Sequence, residues 1–225
     1  MRNITSNYYW KVIGVAGALA GLVAWPGTGQ AQLDLGGTTN TITSTTGTLA
    51  GTTTTTTSTI TGQASAVTAV VLGTVTSLAD TGTLVDAADP LGTGLPFGSI
   101  PNLLSAEALH AVTMGWTDQV ASEASLANVA MTVAGIGIAA DTIVSRALAV
   151  SGAVPTGLTS IEGLTIGGVP VSPSGLPNQT ISLAGLSVIL NEQIQSASGI
   201  VVNALHITTP DGLINVVVGS ARAGI

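Results

Sequence analysis

Ser122-Glu-Ala-Ser-Leu126 sets small or apolar residues at alternate positions, and the same alternation returns as Gly62-Gln-Ala-Ser-Ala66, Ser145-Arg-Ala-Leu-Ala149 and Gly219-Ser-Ala-Arg-Ala223. A strand sends successive side chains to opposite faces, so positions two apart in each copy share one side, and that side is mostly alanine. Such a face packs closely and carries no chemistry. The intervening slots hold Glu123, Arg146 and Arg222, charges that belong on the opposite face. Glu123 and Arg146 occupy the same slot of two copies and form a candidate ion pair across neighbouring strands.

Around these copies run further β-branched, alternating stretches. Strands are expected over residues 67–72, 108–116, 128–138, 142–150, 161–166, 180–190, 200–208 and 213–223. Turn formers stand between them at Asp89-Pro90, Ser151-Gly152, Gly167-Gly168, Pro173-Ser-Gly175 and Pro210-Asp-Gly212. Ser122 to Ala134 is rich in alanine, but Val129, Thr132 and Val133 favour a strand over a helix. Short strands without an intervening 3.6-residue period predict an all-β, antiparallel sandwich or barrel-like domain. The last copy ends the sequence, so its strand is expected to be integral to a sheet, and removal of Gly219 to Ile225 to be damaging.

Upstream the composition changes twice. Arg2 and Lys11 precede an uncharged run from Val12 to Ala24, then Trp25-Pro26 and a small-residue stretch ending at Ala31, the order of a secretory signal peptide over residues 1–31. That run is shorter than the roughly 20 residues a membrane-spanning helix needs, so no membrane span is expected after cleavage. Residues 32–61 form a low-complexity linker, with 15 threonines among the 24 residues from Thr38 to Thr61, too poor in large apolar residues to build a core. Residues 62–225 then make one β-rich domain. There is no cysteine, which excludes disulfides and thiolate chemistry. Outside residues 1–31 the only basic side chains are Arg146 and Arg222 against eleven acidic ones, a balance that argues against nucleic acid as a partner. Charged residues make up 7% of the chain and give way to Thr, Ser, Gly and Ala, which suits an exported or wall-associated surface.

The ordered blocks Gly62-Gln-Ala-Ser-Ala66, Ser77-Leu-Ala-Asp-Thr-Gly82, Leu104-Ser-Ala-Glu-Ala-Leu-His-Ala111, Val120-Ala-Ser-Glu-Ala-Ser125, Ile161-Glu-Gly-Leu164, Pro177-Asn-Gln-Thr180, Asn191-Glu-Gln193, Asn203-Ala-Leu-His206 and Gly219-Ser-Ala-Arg-Ala223 resemble the choice-of-anchor P proteins, exported bacterial proteins of unassigned activity. The resemblance covers nearly the whole chain after the threonine tract. It implies a single extracellular β-rich domain, no enzyme and no catalytic residues; apart from the calcium considered below, no cofactor is expected. No sorting motif, apolar helix or basic tail follows the last strand, so attachment is expected through the N-terminal side, through a partner, or not at all.

Candidate sites are few. Glu192, between Asn191 and Gln193, follows an apolar strand and forms a polar cluster with Asn203 and His206, either a strand end capping backbone groups or a polar or calcium-binding patch. Asp80, Asp86 and Asp89 fall in a Gly- and Thr-rich stretch read as a loop, where they serve as turn formers or as calcium ligands. His110 and His206 share an Ala-Leu-His context. A metal held by both would need a third ligand from Glu107, Glu192 or Asp211, without zinc-type spacing. Gly135-Ile-Gly137 mimics a dinucleotide fingerprint but continues as a strand instead of opening a helix. Asn178-Gln-Thr180 matches a glycosylation sequon and equally a turn entering a strand. Gly-x-Ser-x-Gly, Walker and HExxH motifs are absent from the sequence.

The expected function is a secreted or cell-surface, non-enzymatic structural or adhesion protein with cell-wall, matrix or self-association partners. One alternative is a subunit that assembles by strand addition, through Gln32 to Leu35 or a terminal strand. An extracellular carbohydrate-active enzyme is the other, and it requires paired carboxylates in a cleft. One Phe and three Trp offer such an enzyme few aromatic platforms.

Overall fold

In the computed structural model, which describes residues 60–87 and 90–225, the alternating stretches form thirteen strands and no helix among those residues. One sheet orders β10 (Gln179–Leu183), β11 (Leu186–Gln195), β12 (Gly199–Thr208), β13 (Ile214–Gly224), β1 (Thr61–Val71) and β2 (Thr74–Asp80). The second orders β3 (Leu91–Ile100), β4 (Leu104–Gly115), β5 (Gln119–Val133), β6 (Ile136–Val150), β8 (Thr165–Ile166) and β9 (Val169–Pro170), with β7 (Thr156–Glu162) also paired to β6. Every pairing is antiparallel. The sheets face one another, β13 over β5 and β6, and β1 over β4 and β5, which makes the domain a sandwich and not a barrel. The predicted signal peptide and most of the threonine-rich linker lie outside the described residues.

All four copies of the alternating pattern turn their small residues into the space between the sheets. Ala64, Ala111 and Ala124 form one buried cluster; Ala147, Ala149, Ala221 and Ala223 pack with Val120, Ile200 and Val202 in another. The approach leaves no room for larger groups. A Cβ added at Gly62 would collide with Thr113 and Val120, and one at Gly157 with Val202. Beyond this narrow half the interior is built from Leu109, Met131, Ile138, Ile143, Leu164, Val188, Leu190, Leu205 and Ile207, so the sheets are held apart by branched and long side chains.

The two halves meet along a line that crosses both sheets, where each long strand changes the parity of its inward residues. β1 buries Ala64 and Ala66, then Val67 and Ala69; β4 Ala106, then Leu109; β5 Leu126, then Val129; β6 Ala140, then Ile143; β13 Val218, then Ala221. On the first sheet the line runs through Asn191, Ala204, Gly219, Ala66 and Ala79, which the register leaves between paired positions. Asn191, Gly219 and Ala79 have φ of 51°, 66° and 49°, and on the second sheet Ala108 and Asn128 both have 48°. A left-handed residue inserted in a strand reverses the facing of everything after it. Because neighbouring strands do so at one level, pairing continues unbroken on either side.

The phase change explains where the sequence expectation departs from the structure. Expected strands starting at residues 67, 108, 128 and 142 begin at this line, whereas β1, β4, β5 and β6 cross it. The expected strand 128–138 contains a turn, since Ala134 and Gly135 (φ 50° and 79°) close the β5–β6 hairpin; Leu72 and Gly73 (φ 50° and 81°) do the same between β1 and β2. Both are two-residue turns with paired positive φ, whose twist suits antiparallel strands. Residues 161–166 break at Gly163 and residues 180–190 at Ala184-Gly185. β2, β3 and the short β9 lie outside every expected strand. β3 carries Gly92, Gly94, Pro96 and Gly98, and it lies at a sheet edge, where a proline costs no ladder hydrogen bond.

β13 sits between β12 and β1, and its last turn of alternation supplies Ala221 and Ala223 to the narrow half. A chain ending at Val218 is therefore expected to lose its cooperative thermal transition, followed by circular dichroism. A sharp transition at the full chain's temperature would show that this end of β13 is dispensable.

Candidate functional site

The outer face of the first sheet bears a polar row laid across its strands beside the line of phase change. Glu192 pairs in register with Asn203, Asn203 with Ser220, Ser220 with Ser65, and Ser65 with Asp80. Adjacent strands lie about 4.8 Å apart, so the row spans roughly 19 Å from one carboxylate to the other. Asn203 Nδ2 donates to Glu192 Oε2 at 2.6 Å, and Ser220 Oγ donates to Asn203 Oδ1 at 2.7 Å. His206 sets Nδ1 2.9 Å from the Glu192 carboxylate and Nε2 3.2 Å from Asn215 Oδ1. Ser65 Oγ donates its one proton to the Val67 carbonyl, so the 3.1 Å contact with Thr68 Oγ1 is a bond donated by Thr68. At the far end Gln63 Nε2 reaches the two Asp80 oxygens at 3.2 and 3.4 Å, and Asp80 Oδ1 also accepts from the Gly82 N–H.

Part of this row floors a depression of about 280 Å³ lined by Gln63, Ser65, Thr68, Asp80, Asn203, Ser220 and Arg222, with Val201 and Val217 as its apolar surface. Four of these are the intervening slots of two pattern copies: Gln63 and Ser65 of the first, Ser220 and Arg222 of the last. The same alternation that lines the core with alanine therefore builds the site on the other side of the sheet. Sequence reasoning identified Glu192, Asn203 and His206 but not these partners. Their signal was the polar character of both intervening slots in copies that the fold sets side by side.

The kink that positions Glu192 is tied down from the neighbouring segment. Asn178 N donates to the Asn191 carbonyl at 2.8 Å, Asn178 Oδ1 accepts from Gln193 N at 2.9 Å, and Asn191 Nδ2 donates to the Gly175 carbonyl at 3.1 Å. The sequon asparagine thus shares its amide oxygen with the β11 backbone.

Elsewhere the expected residues are placed as follows. Arg146 Nε donates to Glu123 Oε2 at 2.6 Å on the outer face of the second sheet, both side chains partly exposed. Asp80 ends strand β2 instead of lying in a loop, because residues 74–80 pair with β1; Asp86 is exposed after the Gly62–Leu84 bridge, and Asp89 lies outside the described residues. Among the described residues no three of His, Asp and Glu are gathered to hold a metal ion. His110 is exposed on β4 of the second sheet and His206 lies on β12 of the first, so the two do not meet; Glu107 instead accepts from Asn128 Nδ2 at 2.8 Å. Asp211 sits in the β12–β13 turn, where Thr209 Oγ1 and the Leu213 N–H hold its carboxyl below the ordinary aspartate range. Gly135 and Gly137 belong to the β5–β6 hairpin, with no helix following.

Comparison with family models, with characterised proteins and with solved structures finds no match for the chain.

Asn203 is buried and bonded on both sides, so Asn203→Ala leaves Glu192 and Ser220 short of a partner and is expected to cost about 1–3 kcal/mol in chemical denaturation. A double-mutant cycle on Glu123→Ala and Arg146→Ala should give a coupling of about 0.2–1 kcal/mol that shrinks as salt is added, the range for a solvent-exposed pair. Strict additivity would mean the pair contributes nothing in solution.

Proposed function

We propose that the domain is a secreted or cell-surface, non-enzymatic binding module of structural or adhesive type, which engages its partner through the polar depression on the first sheet. The observation that carries this reading is the lining itself, seven hydrogen-bonding side chains on a rigid sheet with only one carboxylate, Asp80, among them. Glycosidic hydrolysis needs two carboxyl groups within about 5–10 Å across the bond. Asp80 and Glu192 stand at opposite ends of a five-strand row, roughly 19 Å apart. The export-type N-terminus and the ordered blocks that resemble choice-of-anchor P proteins support the same placement at the cell surface. Assembly by strand addition is the second reading: Pro96 in β3, two residues in β9 and five in β10 blunt those edges, which leaves β2 (Thr74–Asp80) and β7 (Thr156–Glu162) as the edges it would use.

Cell fractionation is expected to recover the protein outside the cytoplasm, and the purified chain is expected to be retained by cell-wall or matrix polysaccharide. Thr68→Trp, which fills the depression from its rim, should weaken that retention at least tenfold with the melting transition preserved. Cytoplasmic recovery, or retention that Thr68→Trp leaves unchanged, would overturn the reading.

A further inference from the structure

Among the described residues the ion pairs are Arg146 with Glu123 and His206 with Glu192, so Arg222 has no carboxylate within pairing distance. Its neighbour across the β1–β13 ladder is Gln63, and Gln63 directs its amide at Asp80. The guanidinium is left exposed at the depression with its planar fork of donors unused by other side chains, in a domain with one other cation. An unpaired arginine beside hydroxyl and amide groups is suited to a planar oxyanion on an otherwise hydroxylated molecule, because the fork matches a carboxylate in two parallel hydrogen bonds.

We infer that the depression takes an acidic saccharide chain, with a uronate carboxylate on Arg222. This rests on the binding reading given above and names the ligand class of that site. Ring hydroxyls would then donate to the Asp80 carboxylate and to the Ser65 and Ser220 oxygens, whose own protons are already given to the Val67 carbonyl and Asn203, while Val201 and Val217 meet the apolar edges of the sugar ring. The row runs across five strands, which fits an extended polymer better than one ring. The domain's negative charge does not forbid an acidic ligand, since exposed charges farther than about 8 Å are largely screened at physiological salt. The bidentate contact with Arg222 supplies the local attraction.

Titration calorimetry on the full chain with a uronate tetrasaccharide, a neutral glucose tetrasaccharide and a monomeric uronic acid tests this. The uronate tetrasaccharide should bind at least tenfold more tightly than either of the others and weaken as salt rises. Arg222→Gln should lower its affinity at least tenfold with the melting temperature unchanged, whereas Arg146→Gln, on the other sheet, should leave it as it was. Equal binding of neutral and acidic tetrasaccharides, or no effect of Arg222→Gln, overturns the acidic assignment while leaving a saccharide module standing. Binding of none of the three overturns the assignment too, and retention on wall or matrix material in the preceding experiment then shows whether the binding reading survives with another ligand class.

Discussion

Close approach of two alanine-lined sheets is the constraint on which the remainder of this domain depends. At the narrow end alanines of the two sheets pack among Val120, Ile200 and Val202, and at Gly62 and Gly157 there is no room even for an added methyl group. Leucine or isoleucine at Ala64, Ala124, Ala147 or Ala221 would have to push the sheets apart or leave its rotamer well. The narrow end is also tied by polarity. Ser122 Oγ donates to the Arg222 carbonyl on the opposite sheet at 2.6 Å, and Thr113 Oγ1 donates to Ser122 at 2.7 Å. A buried hydroxyl left without these partners would carry its desolvation cost uncompensated, so the bond selects the spacing as much as the alanines do.

The alanine-lined half and the half built from larger side chains meet at a line that calls for left-handed residues on several strands. Glycine meets that need at Gly219 on the central strand β13, where an added Cβ would press on Ile143 and Ala204. Asparagine, a residue that tolerates this backbone region, meets it at Asn128 and Asn191, whose side chains bond to neighbouring segments, Asn128 to Glu107 and Asn191 to the Gly175 carbonyl. Ala79 and Ala108 hold the same conformation without such help, and the ladders on either side keep them there. The polar row stands immediately beside this line, so core shape and site position come from one distortion.

The fold class was legible because alternation is a local property. Gly62 to Ala66 and Gly219 to Ala223 read as strand faces from their own residues. Strand length was not legible, because a single left-handed alanine or asparagine breaks the alternation and makes one strand look like two. Leu72-Gly73 and Ala134-Gly135 escaped notice as turns because only their second residue is a usual occupant of positive φ. Glu192, Asn203 and His206 stood out as polar residues in apolar company. Ser65 and Ser220, ordinary residues in a serine-rich chain, acquire meaning only when β1 and β13 are paired, and sequence periodicity carries no information about which strands become neighbours.

The scarcity of basic residues has a consequence for persistence. A protease that cuts after lysine or arginine finds two target bonds beyond residue 31, after Arg146 and after Arg222. Both lie within strands, β6 and β13, that are paired on two sides. Cleavage requires an extended segment released from its neighbours, so either cut waits on opening of a sheet interior instead of fraying at a loop tip. A domain tied by no disulfide is in this way protected from one large class of digestive enzymes by the placement of two side chains.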